Sequence, residues 1–338
     1  MQRLIDNFQN KTKIKFFLLG SSIATMESIL SESNPLYRRF NLSILLKEMD
    51  YYDSAKFYSS FSNEDKVKLY AAFGGVPFYN KQIDSKLTVK ENIINLLSGQ
   101  FSHLLSEITA NIKEELVKIN NAYTVFSSIA GGAFHYSDIL AKSRINTTSS
   151  LYDTLEVLRK MDLISYVCPI NDKNNKKKFG YVLTDSAVFF YYKFIYHNLS
   201  SQNILNDEMF YDNYIEEGFL NDFVPKAFEK IAKQYLIRKN MEGLIKPFIE
   251  DIGTYWYDNP KEKKNGQFDL VTKSKDGYIV YEVKFTNSKI DNKIVKEEIS
   301  QIAETNLNPI NFGFVSKSGF DISNDNNYIL ISLDDIYY

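Results

Sequence analysis

The segment Tyr278-Ile-Val-Tyr-Glu-Val-Lys-Phe285 constrains this chain more than any other, because its apolar and charged residues alternate strictly. Period two belongs to a β-strand, and it commits Ile279, Tyr281, Val283 and Phe285 to one sheet face and Glu282 and Lys284 to the other. A strand with one buried face needs neighbours. Ser274-Lys-Asp-Gly277 supplies the turn that folds a preceding strand, 267–273, back beside it. Further strands are expected at 252–257, 311–316 and 328–333, with helices from about Asp222 to Lys239 and from about Asp291 to Thr305. Helices interleaved with strands in this way make an α/β layer plan.

At 338 residues the chain is long enough for two or three such units. Forty basic against forty-two acidic residues leave a net charge of −2, so any nucleic-acid surface must be local. One cysteine, Cys168, excludes an internal disulfide, and three scattered histidines (His103, His135, His197) argue against a histidine metal site. With no long apolar run, the expectation is a soluble, cytoplasmic protein with no membrane contact.

Upstream, Ile14-Lys-Phe-Phe-Leu-Leu19 followed by Gly20-Ser21-Ser22 reads as a buried parallel strand, and Leu42 to Leu46 as a second. Neither has neighbours nearby, which suggests that a segment before residue 1 is absent. Ser62-Asn-Glu-Asp65 starts a helix that Gly74-Gly75-Val-Pro77 stops, and 89–120 continues as helices. From Tyr123 to about Phe194 the order is three helices, strand, basic turn, strand and helix, with Thr147 or Thr148 capping the third helix. That order predicts a winged helix-turn-helix, with Lys176, Lys177 and Lys178 at the wing tip as candidate DNA-binding residues. Residues 199–213 read as a polar linker. The expected division is 1–60, 61–120, 121–198, the linker, and 214–338.

Asp269, between Phe268 and Leu270, points away from two apolar neighbours and toward the face of Glu282 and Lys284. Glu229 sits beside the helical stripe Phe228, Ile231 and Tyr235 as a third carboxylate. Oxygen ligands next to a lysine suit Mg²⁺-assisted phosphodiester hydrolysis, with Asp269 and Glu282 as metal ligands. Asp269…Glu282-x-Lys284 has the spacing of the PD-(D/E)xK nuclease pattern.

Phe16-Phe-Leu-Leu-Gly-Ser-Ser22, Ser33-Asn-Pro-Leu-Tyr-Arg-Arg39, Asp50-Tyr-Tyr-Asp-Ser-Ala-Lys56 and Gly74-Gly-Val-Pro-Phe-Tyr79 resemble the prokaryotic, archaeal-type AAA ATPases of the STAND-related branch. Phe228 to Leu236, Trp256, Gln267 to Val271 and Tyr281 to Phe285 are similar to the restriction-endonuclease-like domain that follows the winged helix in that family. The resemblance implies an α/β multidomain chain: a portion of a P-loop-type segment with a helical lid, a winged helix, and a PD-(D/E)xK-like domain. It also implies a sensor position for Ser21, an arginine finger for Arg39, and Glu229, Asp269, Glu282 and Lys284 as the nuclease-like set. Gln267 stands where the family usually has an acidic residue. No glycine is followed by lysine, so no Walker A loop is encoded. The chain is therefore expected to use ATP only with a Walker-containing partner chain or segment. Two functions follow: an Mg²⁺-dependent DNA nuclease, or a non-catalytic module that binds DNA or protein alongside an ATPase chain.

Overall fold

The computed structural model describes residues 2–8, 11–20, 23–116, 119, 121–259, 264–323 and 327–338. Helices α1 (Gln2–Phe8) and α2 (Ile23–Leu30) come first. The segments around Ile14–Leu19 and Leu42–Leu46 are irregular, not stranded, and Phe17, Leu19 and Leu46 are more than four-fifths exposed. An apolar run becomes a strand only when another strand accepts its backbone hydrogen bonds, and among the described residues none pairs with either segment.

Among the described residues, every buried apolar side chain except Ile5 lies from residue 51 onward. Helices α3 (Tyr51–Ser54), α4 (Asn63–Phe73), α5 (Pro77–Asn80), α6 (Val89–Ile93) and α7 (His103–Leu116) follow. The boundaries of α4 are chemical. Ser62 accepts the Asp65 N–H at the start of α4, and Gly74, at φ 63°, ends it. Then α8 (Ala122–Ala130), α9 (Tyr136–Ser143) and α10 (Thr148–Lys160, capped by Thr147) precede an antiparallel pair, β1 (Ile164–Val167) and β2 (Gly180–Leu183).

Helix α11 (Ser186–Phe190) leads into α12 (Leu199–Ile204), α13 (Asp207–Tyr214) and the single turn α14 (Glu216–Gly218). The expected linker is thus helical. Most of its polar residues are exposed, while Phe210 and Tyr211 are buried and Gln202, also buried, donates to the Ser98 carbonyl at 2.9 Å, so these residues anchor it.

The last unit is α15 (Val224–Met241) followed by a five-stranded mixed sheet in the order β3 (Asp251–Asn259), β4 (Lys264–Ser274), β5 (Gly277–Lys284), β7 (Asn311–Ser316), β9 (Ile329–Ser332). Strands β3, β4 and β5 are antiparallel; β7 and β9 join in parallel after α16 (Asn292–Ala303) crosses over. Short strands β6 (Ile290–Asp291) and β8 (Phe320–Asp321) pair beside it, and α17 (Leu333–Tyr337) closes the described chain. Leu270, Tyr281 and Val315 pack with Phe228 and Ile231 of α15; Val271, Val280 and Ile302 form the opposite layer under α16. The protein is a mixed helix and sheet structure.

The units share one core. A single apolar cluster runs from Tyr51 through Phe190 and Phe228 to Ile336. Helix α15 bridges to α3 and α4: Gln234 Nε2 donates to the Tyr70 hydroxyl at 3.0 Å, and Arg238 pairs with Asp50, the residue that caps α3, at 3.1 Å. Tyr51 donates to the Ile336 carbonyl at 2.9 Å.

Candidate functional site

Three elements converge where β4 and β5 run beside α15. Alternation on β5 puts Glu282 and Lys284 on the α16 side, because Tyr281, Val283 and Phe285 pack toward α15. Strand β4 does not alternate strictly. Gly253 faces Val271 and Tyr255 faces Phe268, so Asp269 and Leu270 together oppose the single residue Thr254. The two apolar flanks of Asp269 therefore sit in different layers, Phe268 with Val271 and Leu270 with Tyr281. The expectation that Asp269 points opposite to both neighbours is corrected by this bulge, a device that re-aims one side chain. The β4–β5 pairing ends at Leu270↔Tyr281; Asp269 is the next residue along β4, and its negative charge acts on the Glu282 carboxyl.

Glu229 follows the fully buried Phe228, whose ring lies 5.0 Å from that of Phe285. Burial pushes the Glu229 carboxyl up to about 8, and the negative charges of Asp269 and Glu282 push the same way. Among the described residues Glu229 accepts no hydrogen bond and joins no ion pair. Burial also raises Glu282, against the pull of Lys284. Lys284 Nζ stands 2.5 Å from Glu282 Oε1 and 3.2 Å from Glu298 Oε1 on α16. Burial disfavours the Lys284 ammonium, but these two carboxylates outweigh it and hold its pKa above the ordinary lysine value. Asp269 is exposed and accepts from Gln267 Nε2 at 3.0 Å, so the amide at the position where an acid was expected props up its neighbour.

Glu229, Asp269, Glu282 and Lys284 thus share one electrostatic neighbourhood. Glu298 was missed, although Val295, Glu298 and Ile302 fall at helical spacing and so place a carboxylate on the buried stripe of α16. Oxygen donors suit a hard cation such as Mg²⁺. As arranged here, with Glu282 turned to Lys284, no three His, Cys, Asp or Glu side chains among the described residues form a metal-holding group.

The other expected sites lie apart. Ser21 is outside the described residues. Arg39 is held by Asp6, with Nε at 2.7 Å, and by the Pro35 carbonyl at 2.6 Å. At the hairpin tip, Lys176 and Lys177 are exposed, whereas Lys178 pairs with Asp172 at 2.9 Å and lies 5.5 Å from the centre of the Trp256 ring. The tip is docked on β3: Ile170 N–H donates to the Thr254 carbonyl at 2.8 Å, and the Asn171 amide bonds the Trp256 carbonyl at 2.7 Å and N–H at 3.1 Å.

Residues 191–299 match a family described as archaeal and bacterial proteins of unknown function, DUF234. All five residues of the carboxylate–lysine cluster fall within the match. The chain is similar to an uncharacterized protein of Methanocaldococcus jannaschii, 28% identical over 259 residues that cover 76% of this chain and 57% of the relative. The chain therefore matches little more than half the length of that curated relative. A crystal structure of a Vibrio cholerae protein covers 89% of this chain and 62% of its own, at 9% identity and a TM-score of 0.25, a likeness too slight to support an argument. No helix among the described residues is long and apolar enough to cross a membrane.

Proposed function

We propose that the C-terminal unit is an Mg²⁺-dependent phosphodiesterase site of PD-(D/E)xK type that acts on DNA. The observation that carries the reading is Glu229: a half-buried carboxyl, without a hydrogen-bond or ion-pair partner among the described residues, raised to about 8 by burial and by the negative charges of Asp269 and Glu282. Crowded, poorly solvated carboxylates are costly alone and are relieved by a divalent cation. When bound, Mg²⁺ supplies an acidified water and polarises a phosphate oxygen. The chain's own role is positional. Asp269 and Glu282 offer oxygens from adjacent strands, Glu229 adds one from the helix, and Lys284 puts a positive charge where phosphate charge builds up in the transition state.

The three helices and hairpin at 122–183 fit a winged helix, and exposed Lys176 and Lys177 supply the phosphate contacts such a tip offers. Resemblance to AAA-type chains makes ATP an issue only for a Walker-containing partner. The test is cleavage of duplex and single-stranded DNA with Mg²⁺. Asp269→Ala and Glu282→Ala should abolish it, and Lys284→Ala should remove turnover while sparing metal binding. Cleavage that survives Asp269→Ala overturns the assignment.

Two observations favour a second reading. Lys284 is bracketed by two carboxylates and the hairpin tip is docked on β3, as suits a non-catalytic DNA- or protein-binding module that works with an ATPase chain. That module would bind without cleaving under any divalent ion.

A further inference from the structure

We infer that Glu298 is a positioning residue that takes up the Lys284 ammonium when Glu282 turns to a divalent cation. The inference rests on the metal site proposed above and adds a residue from an element, α16, that the D…ExK pattern does not include. Lys284 Nζ lies 2.5 Å from Glu282 Oε1 and 3.2 Å from Glu298 Oε1, so one ammonium already spans both carboxylates. Glu298 is held in reach by the helix. Asp291 caps α16 through the Lys293 and Ile294 N–H groups, and Val295 and Ile302, three residues before Glu298 and four after it, are buried.

The conflict to be resolved is local. Glu282 cannot give the same oxygen to a cation and to an ammonium without setting two positive charges side by side. Without a second anion Lys284 would either keep Glu282 or be driven from the site. Glu298 removes that choice: the ammonium shifts toward α16, stays charged, and remains beside the reacting phosphate. The cation then meets a free Glu282.

The test is a double-mutant cycle on Mg²⁺ affinity, measured by calorimetry on the full chain. Glu298→Gln should weaken Mg²⁺ binding roughly tenfold, because Lys284 then competes undivided for Glu282. In a Lys284→Met background the same substitution should change the affinity less than about twofold, since no ammonium competes. An equal loss in both backgrounds would mean that Glu298 acts only as distant negative charge, and would overturn the inference. So would unchanged affinity in Glu298→Gln, while leaving the metal site intact. A wild-type chain that binds no Mg²⁺ overturns both. Glu298 is partly exposed, so the glutamine variant should fold, and matching thermal melts establish that.

Discussion

Replacing Glu229 by glutamine should make the protein more stable in alkaline buffer and leave it nearly unchanged in acid. The carboxyl has an ordinary value of 4.5 and is raised to about 8 in the fold, first by burial and then by Asp269 and Glu282. Because the folded value is the higher, the unfolded chain releases a proton that the folded chain keeps. Stability therefore falls as pH climbs from about 4.5 to about 8, and levels off beyond. At about 1.4 kcal/mol per pKa step the full span approaches 5 kcal/mol; neighbouring carboxylates that titrate with it reduce what a single substitution recovers to about 2–4 kcal/mol. Glutamine keeps the shape and removes the proton. Urea melts in EDTA at pH 5 and pH 9, with urea chosen because it adds no screening ions, give the difference directly. Glu229→Gln should gain at pH 9 and hardly at pH 5. A gap of the same size at both pH values would refute the reasoning, since packing alone does not follow protons.

Three further perturbations probe other regions of the molecule. Phe228→Ala should cost about 3–5 kcal/mol in urea unfolding, because its ring is fully buried against Phe285; less than 1 kcal/mol would mean that α15 does not rest on the sheet. Gly313→Ala should cost about 1–3 kcal/mol, as a β-carbon there would stand 2.2 Å from Cδ1 of buried Tyr281; a neutral outcome would contradict the β5–β7 register. Lys176→Ala with Lys177→Ala should flatten the salt dependence of duplex DNA binding by about two counterions, and an unchanged slope would assign the hairpin tip wholly to its contact with β3.

Local pattern was legible where pairing is local. The turn Ser274–Gly277 and the alternation from Tyr278 onward located β4, β5 and their shared end, and 311–316 is a strand over that same range. Helix starts were readable from Ser62 and Thr147 because a cap is a single hydroxyl meeting a nearby N–H. Non-local features were not. The apolar runs at Ile14–Leu19 and Leu42–Leu46 have strand composition, but composition carries no information about a partner strand. Residues 199–213 look polar until Phe210 and Tyr211 are seen as the anchoring face of a helix. The bulge at Asp269 depends on β3, which the alternation of β4 alone does not report. Glu298 lies fourteen residues beyond Lys284 on another element, and only the crossover of α16 brings the two together.

Mg²⁺ titration by calorimetry, on the wild-type chain and on Asp269→Ala, tests the central claim most directly. Wild type should bind one ion near neutral pH with release of a fraction of a proton, because Glu229 is largely protonated there without metal and must ionise to serve as a ligand. Asp269→Ala should lose the binding heat while keeping its melting transition. No heat from the wild type, or binding that Asp269→Ala leaves intact, would contradict the claim that these carboxylates are a cation site.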